Sequence, residues 1–152
     1  QTGRMARPSP ARLPASRRML AVRNLSNWVN LSTPLGMLVA TAGGARLRRG
    51  PRGLWLADGY RLRYPNGSAF TIGNVICTGH RDLDELFAAR PGLVEHEESH
   101  SWQWTMCVGL PFLPLYLASS AWSLVRLGDP AIGNHFERQA DLVDGGYVRP
   151  TD

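Results

Sequence analysis

Two histidines four residues apart, with a glutamate beside the first, are the residues of this chain best suited to chemistry: His96-Glu97-Glu98-Ser99-His100. On a helix, side chains at that spacing stand one turn apart on one face. Both imidazoles can then reach a single tetrahedral Zn²⁺ at about 2.0–2.1 Å. Glu97 is turned by about 100° from His96. It stands beside such an ion, where a water would sit, which is the place of a general base. A third ligand is available in Asn134-His135-Phe136-Glu137-Arg138-Gln139-Ala140-Asp141. Glu137 and Asp141 are again four apart and share a face if the segment is helical. A carboxylate from Glu137 completes a His₂Glu set and leaves the fourth position open for water. Asp141 can accept a hydrogen bond from the outer ring nitrogen of a liganding histidine, fixing its tautomer. The bland alternative is two solvated helix faces that happen to carry these side chains.

H-E-x-x-H followed by E-x-x-A-D resembles the gluzincin type of zinc metallopeptidase, and by motif the membrane-associated HtpX-like and prenyl-protein endopeptidase group. The flanks Gln103-Trp104, Gly109, Leu113-Pro114-Leu115-Tyr116 and Asn134-His135-Phe136-Glu137 also resemble small bacterial proteins with the same pattern. The resemblance covers roughly residues 70–147. It implies zinc held by His96, His100 and Glu137, with Glu97 as base and acid of peptide hydrolysis. Ser99 stands where many such enzymes have glycine, a small residue for a small residue. The second lobe that usually supplies a substrate wall and an oxyanion-stabilising His or Tyr has no equivalent here. His135, Tyr116, Tyr147 and Arg138 are the candidates for that role.

The elements that must position these residues come from a chain of 152 residues, long enough for one domain with a modest core. Hydrophobic residues make up 43% and charged ones 19%, which is a globular composition. The net charge is +5. Much of the excess falls before residue 64, on Arg4, Arg7, Arg12, Arg17, Arg18 and Arg23 and then Arg46, Arg48, Arg49, Arg52, Arg61 and Arg63. Such an excess suits attraction to anionic lipid headgroups or to nucleic acid, or is simply a set of solvated arginines from a genome that favours that residue. No aromatic interleaving or nucleic-acid motif accompanies the arginines, so a nucleic-acid partner is not expected. Cys77 and Cys107 make no disulfide framework and read as free thiols.

Residues 1–18 read as a disordered basic tail, with Met5 a candidate natural start. Ser16-Arg17-Arg18-Met19-Leu20 is a faint twin-arginine pattern followed by a poor apolar region, hence no convincing signal peptide. Between Asn24 and Ala45 there is no charge, and a helix after Ser32-Thr33-Pro34 ends at Gly43-Gly44. Strands are expected over 54–57, 60–64 and 69–78, with turns at Asp58-Gly59 and Pro65-Asn66-Gly67-Ser68. The resemblance implies that the last strand, just before the metal helix, holds an extended substrate by strand addition, with Phe70, Ile72 and Asn74 as the candidate contacts; the alternative is a purely structural strand. Helices follow over 82–89, then 93–108 as the metal helix, 113–127 and 132–143. The charge-free run Ser101–Val125 is interrupted by Gly109, Pro111 and Pro114. It reads either as a hydrophobic hairpin dipping into a membrane or as a buried core.

The expectation is therefore an α+β fold: a small antiparallel sheet preceding a helical zincin-like core, as one domain over 19–147 with a tail over 148–152. The expected function is a minimal zinc-dependent metallopeptidase acting on a peptide or protein substrate. Its expected place is the cytoplasm or the inner face of a membrane, with a peripheral membrane or membrane-protein partner. The rival is a catalytically inactive zinc-binding structural or interaction module, such as a membrane-complex subunit. A third reading is a basic adaptor in which the histidines are incidental.

Overall fold

A computed structural model describes residues 15–63, 69–142 and 144–147. Over these residues the chain is α+β, with two helices, a small sheet and then four further helices. Helix α1 spans Arg17–Val29 and α2 Ser32–Ala42; strands β1 Arg46–Arg49 and β2 Trp55–Asp58 follow. Strands β3 Phe70–Ile72 and β4 Val75–Cys77 form a hairpin, and then come helices α3 Leu83–Ala89, α4 Leu93–Met106, α5 Phe112–Leu127 and α6 His135–Ala140.

Helix α1 lies mostly in a stretch without a clear helical signal. It starts because the Ser16 hydroxyl accepts a hydrogen bond from the Met19 N–H. It begins at Arg17, inside the segment expected as a tail; residues 1–14 and 148–152 lie outside the described residues. Asp82 caps α3 and Asn134 caps α6 in the same way. Helix α6 is shorter than the 132–143 expected. The Asp129 carboxylate takes the N–H groups of Ala131 and Ile132, holding a turn there, and Asp141 leaves helical geometry at φ 85°.

The sheet order is β1-β2-β4-β3, and it is mixed rather than antiparallel. The pairs β1–β2 and β3–β4 are antiparallel, but β2 and β4 are parallel, with Leu56 opposite Ile76. The hairpin expected across Asp58-Gly59 does not form. Tyr60 and Arg61 run beside Thr78 and Gly43 instead, Tyr60 N–H donating to Thr78 O and Arg61 N–H to Gly43 O. Residues 64–68 of the second expected strand and its turn are outside the described residues. Strand β1 escapes a hydrophobic-pattern reading because three of its four residues are arginines. Arg48 is paired with Asp58, Asp82 and Asp84, and Arg49 stacks on Trp55. A charged outer strand also discourages edge-to-edge pairing.

Side chains alternate across the sheet. Leu56 and Ile76 face Leu83, Leu86 and Leu93, so α3 and the start of α4 cover one face. Ala57, Val75 and Cys77 face Ala40 of α2 on the other. Helix α2 sits close because residue 36 is glycine: a Cβ there would stand 2.4 Å from the Ile72 carbonyl oxygen. A third cluster, Ile72, Trp104 and Phe112, joins β3 to α4 and α5.

Two polar networks fix α4. Asn74, fully buried, receives hydrogen bonds on its side-chain oxygen from Asn27 and Ser101 and donates to the Asn24 carbonyl, tying the β3–β4 turn to α1 and α4. Arg23, also fully buried, pairs with Glu98, which Arg52 holds from the other side at 2.6 Å. Glu98 is thus a structural clamp within the His-Glu motif. Removing one partner of a buried pair strands the other charge. Arg23→Met is therefore expected to cost about 3 kcal/mol of unfolding free energy. A urea titration checks this, and a loss below about 1 kcal/mol, the range of a surface pair, would contradict the clamp.

Among the described residues no helix is long and apolar enough to cross a membrane. Nor is α5 a buried core helix: it buries only Phe112 and Ser123.

Candidate metal centre

Helix α4 places His96 and His100 on one face, their ring centroids 4.8 Å apart. Helix α6 brings Glu137 against them. His96 Nε2 and His100 Nε2 are 3.2 Å apart, and Glu137 Oε2 lies 3.2 Å from the first and 3.5 Å from the second. All three side chains are buried, Glu137 to 2% exposure. For ligands about 2.0–2.1 Å from a tetrahedral centre, the ligand–ligand edge is about 3.3–3.4 Å. The observed triangle has those edges, so these residues can hold a metal ion together.

The hydrogen bonds behind the triangle orient its lone pairs. His96 Nδ1 donates to the Asp141 backbone carbonyl at 2.8 Å. His100 Nδ1 donates to Gln103 Oε1 at 2.8 Å. The Gln103 amide is oriented by its other end, which donates to Phe136 O and Gln139 Oε1. With both Nδ1 atoms protonated, the two Nε2 atoms face each other as acceptors. The Tyr116 hydroxyl donates to Glu137 Oε1 at 2.5 Å, which leaves Oε2 pointing at the imidazoles. That Oε2 is, among the described residues, the one buried side-chain polar atom without a hydrogen-bond partner. Three buried acceptors aimed at one point need a cation between them.

The same three groups shift one another's titration. Burial lowers the His100 pKa, but the hydrogen bond to and charge of Glu137, with Glu97 and Gln103, outweigh it, and the net shift is upward. Burial raises the Glu137 pKa, but His100, His96 and Tyr116 outweigh it and hold the carboxyl well below the usual carboxylate range. Burial and then the charge of Glu137 push the Tyr116 and Tyr147 phenols upward, so both stay protonated donors. Burial and the charge of Glu97 push Cys77 up to about 12, leaving a neutral core thiol.

The donor triangle borders a cleft of about 170 Å³. Its walls include Glu97, His100, Glu137, Tyr116 and Tyr147, with Ala69, Phe70, Thr71 and Ile72 along one side. Glu97 is buried, and its Oε2 accepts a hydrogen bond from the Thr71 hydroxyl at 2.7 Å. Strand β3 is at the sheet edge, and Phe70 and Ile72 line the cleft. Asn74 does not: its side chain is spent in the network behind the hairpin. The Thr71 carbonyl, which an added strand would use, already accepts the Trp104 indole N–H at 3.0 Å. Asp141 reaches His96 through its backbone carbonyl, not its carboxylate, because α6 ends at Ala140 and the chain turns there. Gly145 lets this turn lie on His96, since a Cβ would come within 2.5 Å of His96 Cε1. Of the four oxyanion candidates, Tyr116 and Tyr147 line the cleft, whereas His135 and Arg138 are exposed on α6.

Gln103 and Thr71 were not legible as site residues from motif spacing. Gln103 had one available signal, its position three residues after His100 on the same helix. Gln103→Leu is expected to keep the fold and weaken metal affinity about 10–100-fold, as read by competition with a chromogenic chelator. An unchanged affinity would remove Gln103 from the site.

No protein-family model, no curated protein and no solved structure matches this chain.

Proposed function

We propose that this chain is a minimal zinc-dependent metallopeptidase. The observation that carries the reading is the triangle of His96 Nε2, His100 Nε2 and the orphaned Glu137 Oε2 on the wall of a cleft shared with Glu97. Two imidazoles and one carboxylate in tetrahedral spacing suit Zn²⁺ better than the oxygen-rich, higher-coordination sites of Mg²⁺ or Ca²⁺. Zinc bound there would polarise a peptide carbonyl and acidify a water. Glu97 would accept a proton from the attacking water and return it to the leaving amine. The Thr71 hydroxyl holds the Glu97 carboxylate in one orientation. Tyr147, half-exposed at the cleft and kept protonated, is a donor available to the developing oxyanion. Phe70 and Ile72 offer the substrate an apolar wall. The arrangement is similar in kind to a gluzincin site, with Glu137 as the third ligand.

An inactive zinc module needs no cleft beside its metal and no buried glutamate held ready there. Both features favour the enzyme. The reading is tested by incubating the zinc-loaded chain with a mixed peptide library, with and without chelator, and reading cleavage by mass spectrometry. Chelator-sensitive cleavage is expected. A chain that binds zinc and cleaves no peptide would favour the module.

A further inference from the structure

The two charge-free stretches of the sequence meet at one end of the fold, where the α1–α2 turn touches the α4–α5 turn. A Cβ on Gly109 would stand 2.8 Å from the Asn30 carbonyl oxygen, so these turns are in close contact. We propose that this end, with the outer face of α5, docks on an anionic lipid surface and lies in its plane.

The apolar content is large and turned outward. Leu31 and Val108, at the tips of the two turns, are 63% and 73% exposed. Both adopt left-handed backbone, with φ of 67° and 57°. That conformation is unfavourable for any L side chain and most of all for a β-branched one. The fold thus holds two apolar side chains outward, at the tips of touching turns, against their own backbone preference. Val29, Leu110 and Leu113 extend the surface, and Leu113 also lines the cleft. Exposed apolar surface of this extent marks an interaction site.

Charge identifies the partner. Helices α1, α2 and α5 and both turns contain no acidic residue; of their arginines, Arg23 is buried against Glu98, and Arg17, Arg18 and Arg126 are exposed. The acidic residues of the described chain lie on β2, α3, α4, α6 and their flanking loops. Arg126 sits 5.0 Å from the ring centroid of Trp122, itself exposed on α5. A tryptophan with an arginine over its ring suits the headgroup level of a bilayer. An apolar face with cationic flanks fits anionic lipid. A second copy of the same surface would set arginines against arginines. With no helix of the described residues long enough to cross, the surface rests on the bilayer.

The test is co-sedimentation of the full chain with phosphatidylcholine vesicles, with and without phosphatidylglycerol. It compares the wild type with the double variant Leu31→Asn, Val108→Asn. Asparagine tolerates left-handed backbone, so this variant is expected to keep or raise the melting temperature. The wild type is expected to bind phosphatidylglycerol vesicles, more weakly at high salt, and the variant to bind them roughly tenfold less tightly or worse. Equal binding by a folded variant, or no wild-type binding, would overturn the proposal. So would light scattering that shows a lipid-free dimer made monomeric by the two substitutions, since the face would then be covered by a second copy. None of these readouts depends on peptide hydrolysis.

Discussion

Glu97→Gln is expected to lower peptide hydrolysis by about 10²–10⁴-fold while leaving metal content and melting temperature unchanged. The substitution is isosteric. The side-chain oxygen that accepts the Thr71 hydroxyl remains, so the residue keeps its place between β3 and α4. What disappears is the capacity to take a proton. Glu97 is not one of the three converging donors, so the ion should stay. Steady-state kinetics beside elemental analysis reads both halves of this outcome. A variant that keeps activity would show that Glu97 is merely a buried carboxylate held by Thr71.

Removal of a ligand acts differently. Glu137→Ala is expected to abolish stoichiometric metal binding and to remove the metal-dependent gain in stability, about 2.7 kcal/mol at a metal concentration one hundred times Kd. It also leaves the Tyr116 hydroxyl without its acceptor. The same geometry fixes the sign of the pH dependence. The folded pKa of His100 is raised. Its proton-dependent contribution to the stability of the metal-free chain is full below the unfolded imidazole pKa and is lost as pH rises through the folded one. Glu137, with a lowered folded pKa, keeps its contribution until pH falls far into the acid range. A cation replaces the proton, so added metal should raise the melting temperature more at alkaline than at mildly acid pH. Metal should also leave as pH falls and His100 protonates, before Glu137 does. Thermal melts with and without metal across pH check this, and a metal effect that grows on acidification would contradict it.

How far the molecule was readable from its sequence follows from how local each signal is. Helices α2, α3, α4 and α5 were legible because Pro34, Asp82, Gly92 and Gly128 mark their ends within one turn. The pairing of His96 with His100 depends on helical spacing alone. Helix α1 was missed because its buried face is made of Arg23 and Asn27, and polar residues leave no apolar stripe to read. Strand β1 was hidden by its arginines; the acidic partners of Arg48 are ten or more positions away. The parallel pairing of β2 with β4 depends on where the chain goes after Asp58, which no turn motif specifies. At the site, the side chains of the donor triangle have recognisable types. The groups that aim them are an amide, a hydroxyl and a backbone carbonyl, and such groups have no sequence signature. Asp141 illustrates the limit: the residue next to His96 was picked for its carboxylate and serves through its main chain.

Whether three side chains from two helices surround one divalent ion is read most directly by elemental analysis of the purified chain with Glu137→Ala beside it. Close to one equivalent of zinc is expected in the wild type and near none in the variant. A wild type without bound metal after exposure to excess zinc, or a variant that keeps a full equivalent, would overturn the metal centre.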